Sequence, residues 1–89
     1  MVASAEKVTR GVAKRAFTRA KNTLTGLIQR GAEYSEILAA RNYVVKCYNN
    51  LEEANTKYLV AALIDIEKNQ EEANYLDQPH QDKTDTLLM

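Results

Sequence analysis

Eighty-nine residues make one small domain, and folding at this size buries only about 60–65 per cent of the surface that the unfolded chain exposes. Twelve basic and twelve acidic side chains cancel, and the lone cysteine, Cys47, excludes an internal disulfide or a multi-cysteine zinc framework. No stretch approaches the roughly 18–20 consecutive apolar residues of a membrane span, and MVASAEKVTRG lacks the apolar stretch of a signal peptide. These features predict a soluble, intracellular chain, with the cytoplasm as the expected compartment.

The charge is segregated. Residues 1–31 carry Lys7, Arg10, Lys14, Arg15, Arg19, Lys21 and Arg30 against Glu6 alone, whereas residues 32–89 carry eleven acids against five cations. Within the basic segment, Val8, Val12, Ala16, Phe17, Ala20, Leu24, Leu27 and Ile28 recur every three or four residues, the helical period. This predicts a first helix over residues 3–30, from Ala3, ended by Gly31 in a left-handed cap. Residues 31–35 then form a turn, with Ser35 as N-cap and Glu36 at the positive end of the next helix dipole.

The second helix is predicted over 36–76. Ile37, Ala40, Val44, Cys47, Leu51, Ala54 and Tyr58 follow the 3,4 spacing of a coiled-coil seam. Strict heptads would then place Asp65 and Lys68 on it. A step of four from Tyr58 instead gives Ala62, Ile66, Asn69, Ala73 and Leu76, a stutter that unwinds a supercoil locally. Leu38, Val45, Tyr48, Leu59 and Leu63 form a flanking stripe that suggests a bundle. Pro79 is expected to end the helix, leaving residues 79–89 as a polar tail. Alternatively, Asp82–Thr84 caps a further helix of a longer parent chain, into which Leu87, Leu88 and Met89 lead.

Residues 1–78 therefore read as an all-α, antiparallel helical hairpin with a long second helix, completed by a short third helix or by a four-helix bundle on dimerisation. The two arms would measure roughly 40 and 60 Å at 1.5 Å per residue. The overhang, with Leu63, Ile66, Ala73, Tyr75 and Leu76, calls for a partner: a second copy making a dimer, or another helical protein. Ile37, Val44, Leu51, Tyr58, Leu63, Ile66 and Leu76 are the expected interface. Arg15, Arg19 or Lys21 would face Glu52 or Glu53 across the hairpin, setting register more than stability.

Lys7, Arg10, Lys14, Arg15, Arg19 and Lys21 offer the alternative of weak, non-sequence-specific RNA binding through phosphate contacts. Catalysis is not expected. His80, the only histidine, stands in the tail as a solvated loop residue. Cys47 lies on the seam as a small core residue, and adjacent Glu52/Glu53 and Glu71/Glu72 point about 100° apart on a helix, unsuited to sharing a metal. No cofactor, metal or small-molecule substrate is predicted.

The order basic helix, turn, acidic helix resembles the N-terminal helical region of BEL/Pao-type retroelement polyproteins. The matching residues are Lys14, Arg15, Phe17, Thr18 and Arg19, then Leu51, Glu52 and Glu53, then Glu71, Glu72, Tyr75, Leu76 and Asp77, within a span from about Lys7 to Asp77. The resemblance implies a Gag-like assembly segment, of an element or a domesticated derivative, and carries over no catalytic residue. DQPHQDKTDTLLM departs from the pattern.

Overall fold

The computed structural model describes residues 4–65 and 67–88. They form α1 (Ser4–Gln29), α2 (Tyr34–Ala61), a single turn α3 (Gln70–Ala73) and α4 (Asp77–Leu87), with no strand among them. The expected start at Ala3 lies outside the described residues. The protein is an all-α helical hairpin, α1 antiparallel to α2, with α4 folded back along both.

α1 ends as the sequence dictates. Gly31 takes φ +70°, its N–H donates to the Ile28 carbonyl, and the Ala32 N–H donates to that of Leu27. This is the paired Schellman cap that a residue without Cβ permits. α2 starts at Tyr34, two residues earlier than expected. Its N-cap is Glu33, without a side-chain capping bond, and Ser35 lies inside the helix.

The core lies between the two arms. Phe17, Ala20 and Leu24 of α1 interlock with Val44, Cys47, Tyr48 and Leu51 of α2, and Ile28, Ile37, Ala40, Tyr75, Leu76 and Leu87 pack around them. Phe17 and Tyr48 meet edge to face, with centroids 5.8 Å apart.

The second helix is shorter than predicted, ending at Ala61 and not near Leu76. Leu63 adopts φ +55° and repeats the Gly31 geometry. Its N–H donates to the Val60 carbonyl, and the Ile64 N–H to that of Leu59. Two short polar side chains then compete for the backbone. Asp65 Oδ1 accepts from the Glu67 N–H at 2.9 Å, and Asn69 Oδ1 caps α3 through the Glu72 N–H at 3.2 Å. The stutter is therefore a helix stop. With 26 and 28 residues the arms match in length, at about 39 and 42 Å, and the expected 20 Å overhang does not exist.

The tail is helical. Pro79 lies in the first turn of α4 and does not end α2. As the helix's third residue it occupies a position whose N–H has no intrahelical partner. Asp82–Thr84 lie within α4 and cap nothing further, Leu87 packs against the core, and Met89 lies outside the described residues.

Candidate interaction surfaces

The predicted interface residues divide by position. Val44 and Leu51 are fully buried within the chain's own core, and Ile37 and Leu76 pack against it. Tyr58 is half-buried. Leu63 is 89% exposed, and Ile66 lies outside the described residues.

Arg10 is withdrawn from the surface, which corrects its expected role as a phosphate contact. Its residue is 6% exposed. One guanidinium nitrogen, Nη1, donates to Asn55 Oδ1 at 3.0 Å and to Glu72 Oε2 at 2.8 Å. The guanidinium carbon lies 4.2 Å from the ring centroid of Tyr58 and 3.8 Å from that of Tyr75. A planar, delocalised cation suits this mixture of acceptors and ring faces. One side chain thus ties α1 to α2 and to the tail, through Asn55 and Tyr58 on one side and Glu72 and Tyr75 on the other. Burial raises the Tyr75 phenol above its ordinary value; Arg10 opposes that shift and Glu72 adds to it.

Lys21 is likewise engaged, with Nζ 3.2 Å from Asp82 Oδ2 on α4. Asp82 also accepts from Gln78 Nε2. That bond chiefly holds its carboxyl below the usual range, with Lys21 helping and burial opposing. Next to this pair, the Tyr48 ring meets His80 edge to face at 6.0 Å and Lys83 Nζ at 4.3 Å. His80 is thus an exposed helix residue beside an aromatic ring and not a loop residue. Burial raises the Tyr48 phenol, and the Glu52 carboxylate adds to that shift.

The expected pairing of Arg15, Arg19 or Lys21 with Glu52 or Glu53 does not form. Among the described residues, ion pairs instead join Arg10 to Glu72, Lys21 to Asp82, Arg30 to Glu36 and Lys57 to Glu53. Lys7, Lys14, Arg15 and Arg19 remain exposed, outside all four pairs, with Lys14 Nζ 5.2 Å from the centroid of the Tyr75 ring. Arg15 lies back over Gly11, its Nη1 within 3.7 Å of where a Cβ would stand.

A second surface is apolar. Thr56, Leu59, Val60, Leu63, Ile64 and Asp65 line a shallow groove of about 560 Å³ at the end of α2, where Val60 is 69% exposed. Cys47 is buried among core side chains, as its place on the seam implies. Among the described residues no group of His, Cys, Asp and Glu is placed to hold a metal, and no helix is long and apolar enough to cross a membrane. Comparison with protein-family models, with curated proteins and with solved structures finds no match.

Proposed function

We propose that the chain is a non-enzymatic helical interaction module that associates with a second copy of itself or with another helical protein. This is the Gag-like assembly role that the resemblance to BEL/Pao-type polyproteins implies, exercised in an intracellular setting without a cofactor. The observation that carries it is the apolar groove at the end of α2. Val60 and Leu63 are 69% and 89% exposed there, and Leu63 holds that outward position in a left-handed conformation that costs a side-chain-bearing residue about 1–2 kcal/mol. Exposed apolar side chains gathered in a groove favour a partner surface over bare solvent.

Light-scattering chromatography over a wide range of concentration, at low and high salt, tests this. A dimer that persists in salt is the expected result. A monomer throughout, with no helical protein partner recovered by cross-linking, would overturn it.

A second reading rests on Lys7, Lys14, Arg15 and Arg19, which the fold leaves outside its ion pairs. They favour weak RNA binding. Four phosphate contacts on a single strand give a slope of log K against log salt of about −3, and no binding at low salt would remove this reading.

A further inference from the structure

The cations that the fold leaves outside its ion pairs follow one side of α1. Two shallow grooves there, of about 510 and 440 Å³, share Gly11 and Arg15; Lys7 lines the first, and Lys14 and Arg19 line the second. Gly11 keeps their common floor low, and the Arg15 guanidinium lies over it. From Lys7 to Arg19 the helix rises about 18 Å, the length of about five phosphates of a stacked strand. α1 has no acid after Glu6, so nothing further along that helix repels a polyanion.

Beyond Arg19 the row reaches an aromatic ring outside the core. The arms are antiparallel, with Phe17 against Tyr48 and Arg10 bonded to Asn55. That register sets Tyr43 level with Asn22, about one turn past Arg19. Tyr43 is 53% exposed. A hydrogen bond with the Cys47 side chain, then the Cys47 charge and burial, raise its phenol, and Arg19 opposes that shift. The Arg19 cation is therefore close enough to act on the Tyr43 side chain.

A flat, exposed ring at the end of a row of cations suits a single strand, which offers phosphates to the cations and a base face to the ring. A duplex keeps its base faces stacked on one another. An anionic membrane calls for large apolar side chains beside the cations; among the described residues, the exposed large hydrophobics of α1 are Val8 and Val12.

We propose that a single-stranded nucleic acid lies along α1, its phosphates on Lys7, Lys14, Arg15 and Arg19 and one base stacked on the ring of Tyr43. This rests on the weak RNA binding read from the four cations, and adds a base contact that those cations do not supply.

Fluorescence anisotropy on the full chain at low salt tests it, with a labelled oligouridylate of about twelve nucleotides and an abasic ribose-phosphate strand of the same length and charge. The oligouridylate should bind at least about fivefold more tightly than the abasic strand. Tyr43→Ala should bring it down to the abasic affinity without changing the salt slope, while Tyr43→Phe keeps the difference. Tyr34→Ala, which removes the more exposed ring at the start of α2, should leave it unchanged. Equal binding of the two strands to the wild-type chain, or a difference that survives Tyr43→Ala, would overturn the stacking site and leave the phosphate row in place. No binding of either strand would overturn both, and binding instead to vesicles of equimolar phosphatidylserine and phosphatidylcholine would assign the row to a membrane surface.

Discussion

Replacing Arg10 by methionine should free the tail before it unfolds the hairpin. The guanidinium makes hydrogen bonds of 3.0 and 2.8 Å to Asn55 and Glu72 and lies against the rings of Tyr58 and Tyr75. A hydrogen bond to a charged group contributes about 1.5–3 kcal/mol, and a desolvated cation–π contact about 1–2 kcal/mol. These do not simply add. Removing the cation also relieves its own desolvation, methionine retains apolar contact with both rings, and the Glu72 side chain, already 15% exposed, turns to water once released. A net loss of about 2–3 kcal/mol remains, below the 3–5 kcal/mol expected for breaking a fully buried pair.

That loss should fall unevenly. The hairpin retains its apolar core of Phe17, Leu24, Val44 and Leu51, whereas the tail loses the cation that pairs with Glu72 and lies over Tyr75. Native-state amide exchange resolves the two. Amides at the Glu72–Tyr75 end of the tail, those of Ala73, Asn74 and Tyr75, should lose protection by about thirty- to a hundredfold, at 1.4 kcal/mol per factor of ten, while those of Val44–Leu51 change little. A double-mutant cycle with Glu72→Gln should give a coupling energy of about 1–3 kcal/mol. Equal loss of protection at Ala73–Tyr75 and in the core, or a coupling near zero, would refute the assignment of Arg10 as the anchor of that end of the tail.

Three other perturbations have definite signs. Gly31→Ala meets open space but forces φ +70° on an alanine, so urea unfolding should show a loss of about 1–2 kcal/mol from backbone strain alone. Leu51→Asp places a carboxylate where the wild-type residue is fully buried; a loss of more than about 4 kcal/mol and of most helicity by circular dichroism is expected. Asp82 has a lower pKa folded than unfolded, so its contribution is complete above the unfolded value of about 3.9 and is lost as pH falls through the folded one. α4 amides should accordingly lose protection first in an acid titration, and Asp82→Asn should flatten that dependence.

The hairpin's core was legible because its periodicity was apolar. Val44, Cys47 and Leu51 lie where a seam at 3,4 spacing puts them, and Gly31 is the only glycine in the turn between the arms. The end of α2 was not, because a leucine occupies the left-handed cap position that a glycine would announce. A trace existed: strict heptads carried Asp65 and Lys68 onto the seam, a conflict that a helix stop resolves better than a stutter. α4 escaped notice because it docks through Pro79, His80, Lys83 and Thr86, whose rings and aliphatic stems bury apolar surface without an apolar signature. Arg10 looked like one cation among seven. The clue lay in its partners, since Asn55 with Tyr58 and Glu72 with Tyr75 repeat one polar-to-tyrosine spacing of three residues.

The segregation of charge acquires a physical meaning from these contacts. Basic and acidic halves suggested ion pairs laid across an antiparallel hairpin, yet α1 and α2 meet through apolar side chains. The ion-paired cations along α1, Arg10 and Lys21, reach to the tail, and Lys14 Nζ lies 5.2 Å from the centroid of the Tyr75 ring there. The hairpin is thus held by burial, which salt and moderate pH leave nearly unchanged. The tail is held by one buried and one half-exposed ion pair and by ring contacts. Screening acts on these unequally: Lys21–Asp82, with side chains 25% and 29% exposed, weakens with salt, while Arg10–Glu72, at 7% and 15%, resists it. High salt should therefore loosen α4 at its Asp82 end first, leaving the Glu72–Tyr75 end docked on Arg10. A tail that detached as one unit with salt would mean that the buried guanidinium contributes no more than the exposed lysine.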